Sequence, residues 1–245
     1  MGLRMLLVLS AMPEEMEALR PRLDGAIAAT VAGCEVLRGH LAAVPTALAF
    51  SRRGKVAAAS TAAQLILRER PRAVIFTGIA GALHDGLAQG DLIVARDLYH
   101  HDLKASPFYA PTVVPLLGHA ALPTDAALSA GLFAAAESWR DEDPDRAPRR
   151  ILHADVATGD QVIGSSEARD GVRRRVPTAA CVEMEGAAVA QVCQEFGLPF
   201  ACLRSISDSA VERLAPDEVF ALARRSGAGA AEILSRWIAA GAAGA

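Results

Sequence analysis

The segment CVEMEGAAVAQ, beginning at Cys181, sets Glu183 and Glu185 on either side of Met184 and then runs into small apolar residues. A carboxylate buried among core-type residues is unfavourable unless something binds it. If the segment ends a strand, alternation throws both glutamates to one side and Met184 to the other. Gly186 and the alanines behind it would let a ligand or a neighbouring element come close. The competing reading puts Met184 in the core and both acids in water, but the apolar flanks offer little solvated surface.

Glu14 and Glu15 stand where the first aliphatic run hands over to a helical segment, at the carboxyl end of a strand, the ligand-bearing edge of open α/β sheets. Acids in a first helical turn also stabilise the helix dipole, which alone would explain them. Asp208 closes the run FACLRSISD at another strand terminus, four residues after Arg204; a structural Asp–Arg pair is the bland alternative. Gly78-Ile79-Ala80-Gly81 offers backbone amides to a ribose or phosphate but matches neither GxGxxG nor a P-loop. The histidines form no HExxH, and His100 and His101 share no helix or strand face. Cys34, Cys181, Cys193 and Cys202 form no CxxC pair, so no metal site and no disulfide framework are expected. The GxSxG of an α/β-hydrolase nucleophile is missing too.

Elements must position these groups. Met5 to Ala11 reads as a strand and EEMEALRPRL as helical. CEVLRGHLAAVPTALAF reads as two strands, and GKVAAASTAAQLILRER as a helix stopped by Pro71. AVIFTGIAGAL and DLIVARDLYH follow as strands, then an extended loop from Ser106 to Pro123 with four prolines, long enough to suggest function. TDAALSAGLFAAAESWR reads as a helix and EDPDRAPRR as a surface loop. ILHADVATGDQVI, AACVEMEG and FACLRSISD read as strands, with GAAVAQVCQEFG a helix between the last two. PDEVFALARRSGAGAAEILSRWIAA is a terminal helix or helix pair. Alternation of strands and helices implies a layered α/β fold.

The 245 residues, 52% hydrophobic, suit one domain over 1–245 with a frayed tail from 239. A net charge of −3 and an aromatic content of 4% leave no basic footprint or stacking platform for nucleic acid. The RRR run at Arg173 reads as a solvated face. No apolar segment reaches the ~18 residues of a membrane span, and the opening apolar run is too short for a secretory signal. A cytoplasmic protein is expected.

Taken together, AMPEEMEAL, GKVAAA, TGIAGAL, GDLIVA, TGDQVI, VEMEGAAVA and SISD, in this order, resemble the purine nucleoside phosphorylase and nucleosidase superfamily. They look most like 5′-methylthioadenosine/S-adenosylhomocysteine nucleosidases, from Met5 to about Leu234. The resemblance implies a three-layer α/β/α sandwich around a central mixed, partly barrel-like sheet. It implies hydrolysis of the N-glycosidic bond of a 5′-thio-substituted adenosine, without metal or other cofactor. Glu185 would bind the ribose hydroxyls, with Met184 against the sugar and Glu183 in support. Asp208 would be the general acid toward purine N7, Glu15 the base that activates water, and Arg204 the anchor of Glu15. Met12, Ile79, Ala80, Gly81, Val162 and Ser207 would line the substrate, and the Ile163 backbone would read the purine edge. Phe108 and Pro115 would close the 5′ pocket of a neighbouring subunit, so a homodimer is implied.

The sequence departs from that pattern at three places. Ile79 replaces a serine common in the glycine turn, and Val162 an aromatic residue that stacks on adenine. Arg52 and Arg53 stand where small and apolar residues are usual. They are candidate anion binders, since arginine is a preferred phosphate ligand. A phosphate-dependent phosphorylase and a futalosine-type nucleosidase are the alternatives. A non-catalytic nucleoside binder would be expected to lose the acid or the base, and Glu15, Glu185 and Asp208 are all present.

Overall fold

The computed structural model describes residues 5–31, 33–146 and 149–241. Its elements are β1 (Leu6–Ser10), β2 (Asp24–Val31), β3 (Cys34–Leu41), β4 (Val44–Phe50), α1 (Lys55–Glu69), β5 (Ala73–Ala82), β6 (Leu92–His100), β7 (Leu122–Pro123), α2 (Ala126–Asp141), β8 (Ile151–Thr158), α3 (Ser166–Arg175), β9 (Ala179–Glu183), α4 (Gly186–Glu195), β10 (Phe200–Asp208) and α5 (Pro216–Ala239). β1, LLVLS, is buried at every position, as an interior strand covered on both faces must be. Both of its neighbours, β4 and β5, run parallel to it.

β5 pairs in parallel with β10, β10 antiparallel with β6, β6 in parallel with β8, β8 in parallel with β9, and β9 antiparallel with β5. These five strands close a ring, so the sheet is mixed and partly a barrel. β1, β4, β3 and β2 extend from β5 as an open wing. Alternation along β1 divides the core. Leu6 and Val8 pack with Leu132 and Trp139 of α2 and Leu234 and Trp237 of α5. Leu7 and Leu9 face the other way, toward Leu65 of α1 and Val189 of α4. Helices on both faces make the expected three layers.

Several segments differ from their sequence reading. EEMEALRPRL forms two 3-10 turns, Pro13–Glu15 and Arg20–Arg22, because Pro21 cannot continue an α-helix. β2 carries almost no buried residue; paired only with β3, it is an edge strand without the alternation that marks one. β8 stops at Thr158, so GDQVI is loop. α3, whose RRR run suggests only a charged face, buries Gly171 and Val172 alone, and Ser165 caps it by accepting the Ala168 N–H. The terminal segment is one helix, α5, ending at Ala239. Of the frayed tail, residues 242–245 lie outside the described residues.

Candidate active site

The parallel strands β1, β5 and β10 deliver their carboxyl ends to one edge, where Asp208 lies in register with Gly81. Just past β1 the chain turns at Met12-Pro13, and the Glu15 side chain folds back over the turn. Its Oε2 accepts the N–H groups of Ala11 and Met12, each at 3.0 Å, and its Oε1 accepts that of Ile79 at 3.0 Å. Glycine at 78 leaves room for this carboxyl, since a Cβ there would stand 2.6 Å from Oε1. Gly227 of α5 presses on the other side; its Cβ would meet the Glu15 carbonyl oxygen at 2.5 Å. Burial raises the Glu15 pKa, against the pull of Arg204 and the three N–H donors.

Glu183 and Glu185 do not sit on one extended strand. β9 ends at Glu183, whose carboxylate accepts the N–H groups of Glu185 and Gly186 at 2.8–3.0 Å and so caps α4. That cap turns the chain, and Met184 lines the same cavity as both glutamates instead of pointing away. Glu183 also bonds Thr158 Oγ1 and takes Arg204 Nη2 at 2.6 Å. Its acceptor sites are thus filled by protein. Glu185, by contrast, accepts among the described residues only the Gly54 N–H, at 2.6 Å on Oε1. Its second oxygen is left for hydroxyl donors. Burial and the charge of Glu183 push its pKa up to about 8, and donors arriving at the free oxygen would favour the ionised form again.

At the end of β10, Asp208 is half-buried. Its Oδ1 accepts the Ala210 N–H at 2.8 Å, and its Oδ2 lies 2.6 Å from Ser207 Oγ. Arg204 is not its partner; that guanidinium is committed to Glu183 and stacks 4.3 Å over the Phe76 ring. Nor does Arg204 hold Glu15 by an ion pair. The backbone N–H groups do that.

One cavity of about 310 Å³ gathers the candidates: Glu15, Asp208 and Ser207; Glu183, Met184 and Glu185; Met12, Ile79, Ala80 and Gly81; Val162 and Ile163; and Arg53. Arg204 lies beneath its floor, fully buried. Arg52 stands outside this cavity and borders an open groove at the start of α1 that Arg53 also lines. Phe108 is 85% exposed and does not line this cavity. Sequence reasoning missed Phe220, Leu214 and Gln161, which also line the cavity. Phe220 adds an aromatic side chain to the lining. Among the described residues no cluster of His, Cys, Asp and Glu is arranged to hold a metal ion, and no helix is long and apolar enough to cross a membrane.

A closed five-strand ring with an open wing, helices on both faces and acids gathered at the carboxyl edge define a fold class that the comparisons identify. The profile of the phosphorylase superfamily matches residues 6–239, and the chain belongs to that family. It is 37% identical over 206 residues, 84% of either chain, to a 5′-methylthioadenosine/S-adenosylhomocysteine nucleosidase of Geobacillus kaustophilus. The Neisseria meningitidis enzyme of the same name, solved with methylthio-immucillin-A, superposes with a TM-score of 0.88 at 30% identity, covering 97% of this chain and 100% of that one. The futalosine hydrolase of Helicobacter pylori is also similar, with a TM-score of 0.84 at 30% identity over 96% of this chain and 97% of that one.

Proposed function

We propose that this protein hydrolyses the N-glycosidic bond of 5′-thio-substituted adenosines, 5′-methylthioadenosine and S-adenosylhomocysteine, releasing adenine and the thioribose. The observation that carries the reading is that Glu15, Glu185 and Asp208, from three distant segments, line one cavity. Glu185 takes the ribose hydroxyls on its free oxygen, with Met184 against the sugar. The purine lies toward Asp208, with the Ile163 backbone at its edge. As the C1′–N9 bond lengthens, its electron pair passes to the base, and Asp208 protonates N7 so that adenine leaves neutral. Water attacks C1′ and Glu15 takes its proton; a carboxyl with a raised pKa suits that task near neutral pH. The ionised carboxylates stabilise the positive charge that builds on the sugar.

Two features favour water over phosphate as nucleophile. A carboxylate at the attacking position repels an anion, and the cation beside it, Arg204, is already matched by Glu183. Adenine release in phosphate-free buffer, with free thioribose as the second product, supports the reading; strict dependence on phosphate with formation of the sugar 1-phosphate refutes it. The likeness to the futalosine hydrolase favours a second reading, in which the same carboxylates act on a nucleoside with a different base or 5′ group. Assay of both nucleosides separates the two.

The exposed Phe108 and Leu116 on the loop after β6 suit a homodimer in which this loop reaches a neighbouring cavity. The continuous sheet favours a single domain over 1–245. Four buried, unpaired cysteines suit the reducing cytoplasm.

A further inference from the structure

Arg53 is exposed and borders both the cavity and the open groove at the start of α1. Its side chain lines the cavity, with Nη2 3.0 Å from the Met12 thioether sulfur and the guanidinium carbon 5.6 Å from the Phe220 ring centre. A thioether is a weak acceptor, and Arg53 joins none of the ion pairs found among the described residues. Its neighbour Gly54 donates its N–H to Glu185 at 2.6 Å. Chain continuity therefore brings the Arg53 backbone next to the carboxylate assigned to the ribose, while the guanidinium reaches Met12 and Phe220. The cavity otherwise presents Glu15, Glu183, Glu185 and Asp208, with Arg204 already matched beneath it. Arg53 is thus the cation of this cavity that no carboxylate matches among the described residues.

We propose, building on the reaction assigned above, that Arg53 selects nucleosides whose 5′ substituent ends in a carboxylate. Guanidinium and carboxylate form paired charge-assisted hydrogen bonds, while Met12 and Phe220 form apolar walls for the thioether stem. Arg52, the residue before it, has φ of 66° and borders the outer groove but not the cavity, whereas Arg53 borders both. A methylthio group would fill the walls and leave the guanidinium without an anion.

The test uses three 5′-thioadenosines of matched length, with carboxyethyl, carbamoylethyl and propyl groups on sulfur, assayed for adenine release at low salt. For wild type, kcat/KM should be highest for the carboxylate. In Arg53→Met the carboxylate-to-amide ratio should fall up to about fivefold, the weight of a solvent-exposed charge pair. Arg53→Lys should restore part of that ratio, and added salt should shrink it in wild type. A ratio unchanged in Arg53→Met overturns the proposal and leaves Arg53 a wall of the cavity. A rise in the KM for phosphate in that variant, with turnover dependent on phosphate, overturns it too and makes Arg53 a ligand of the nucleophile. If wild type releases no adenine from any of the three, the assigned reaction fails; the order of their affinities by calorimetry, in wild type and Arg53→Met, still decides for or against Arg53.

Discussion

Arg204 Nη2 and Glu183 Oε2 lie 2.6 Å apart with both side chains almost wholly buried. This pair sits between the floor of the cavity and the N-terminus of α4, so it neutralises Arg204 while Glu183 shapes the turn that presents Glu185. Breaking a buried pair leaves an unpaired charge, a loss of roughly 3–5 kcal/mol. Arg204→Met should therefore lower stability by about that amount in urea unfolding. Glu183→Gln combined with Arg204→Met should recover a large part of it, because the stranded charge is gone. A double variant no more stable than the single one contradicts this account of the pair.

Gly78 and Gly227 hold Glu15 from opposite sides, and their alanine variants should fail differently. The Cβ of Gly78→Ala meets side-chain ends and no backbone, the Glu15 carboxyl at 2.6 Å and Arg204 Nη1 at 3.2 Å, and the carboxyl can swing away. Folding should change little while kcat drops by about two orders of magnitude, the usual effect of misplacing a catalytic group by an ångström. The Cβ of Gly227→Ala meets the Glu15 backbone at 2.5 Å, so it should lower the melting temperature as well. Equal melting losses for both would show that Gly78 serves packing instead.

What could be read in advance follows from these placements. Glu15, Glu185 and Asp208 were legible because each interrupts or ends an apolar run, and an acid there needs a reason. Phe220 was not, because its spacing within the amphipathic α5 is that of a core residue. The expectation that Met184 points away from Glu183 and Glu185 failed because Glu183 ends its strand by capping the next helix, a tertiary role that alternation does not encode. β2 and α3 escaped notice for opposite reasons. One is alanine-rich and exposed on both faces; the other is so polar that its single buried turn leaves no periodic signal.

Burial and Glu183 push the Glu185 pKa up to about 8, from 4.5 for an unperturbed glutamate. Between those values the folded chain holds a proton that the unfolded chain has lost, so this group's contribution to stability is full below pH 4.5 and declines as pH rises toward 8. Glu185→Gln cannot ionise. Its melting temperature should therefore gain on that of wild type as pH climbs through this window, then hold a constant offset. An offset that stays flat from pH 4.5 to 8 would mean that Glu185 is already ionised in the empty cavity.

Glu15 and Asp208 act on opposite ends of one bond, so each should be needed for turnover and neither for occupancy. The direct measurement is single-turnover release of adenine from 5′-methylthioadenosine in phosphate-free buffer, alongside calorimetric binding, for wild type, Glu15→Gln and Asp208→Asn. Loss of either proton-transfer group should slow release by about 10²- to 10⁴-fold, with affinity largely retained. Release at the wild-type rate by either variant would contradict the arrangement of acid and base around a shared glycosidic bond.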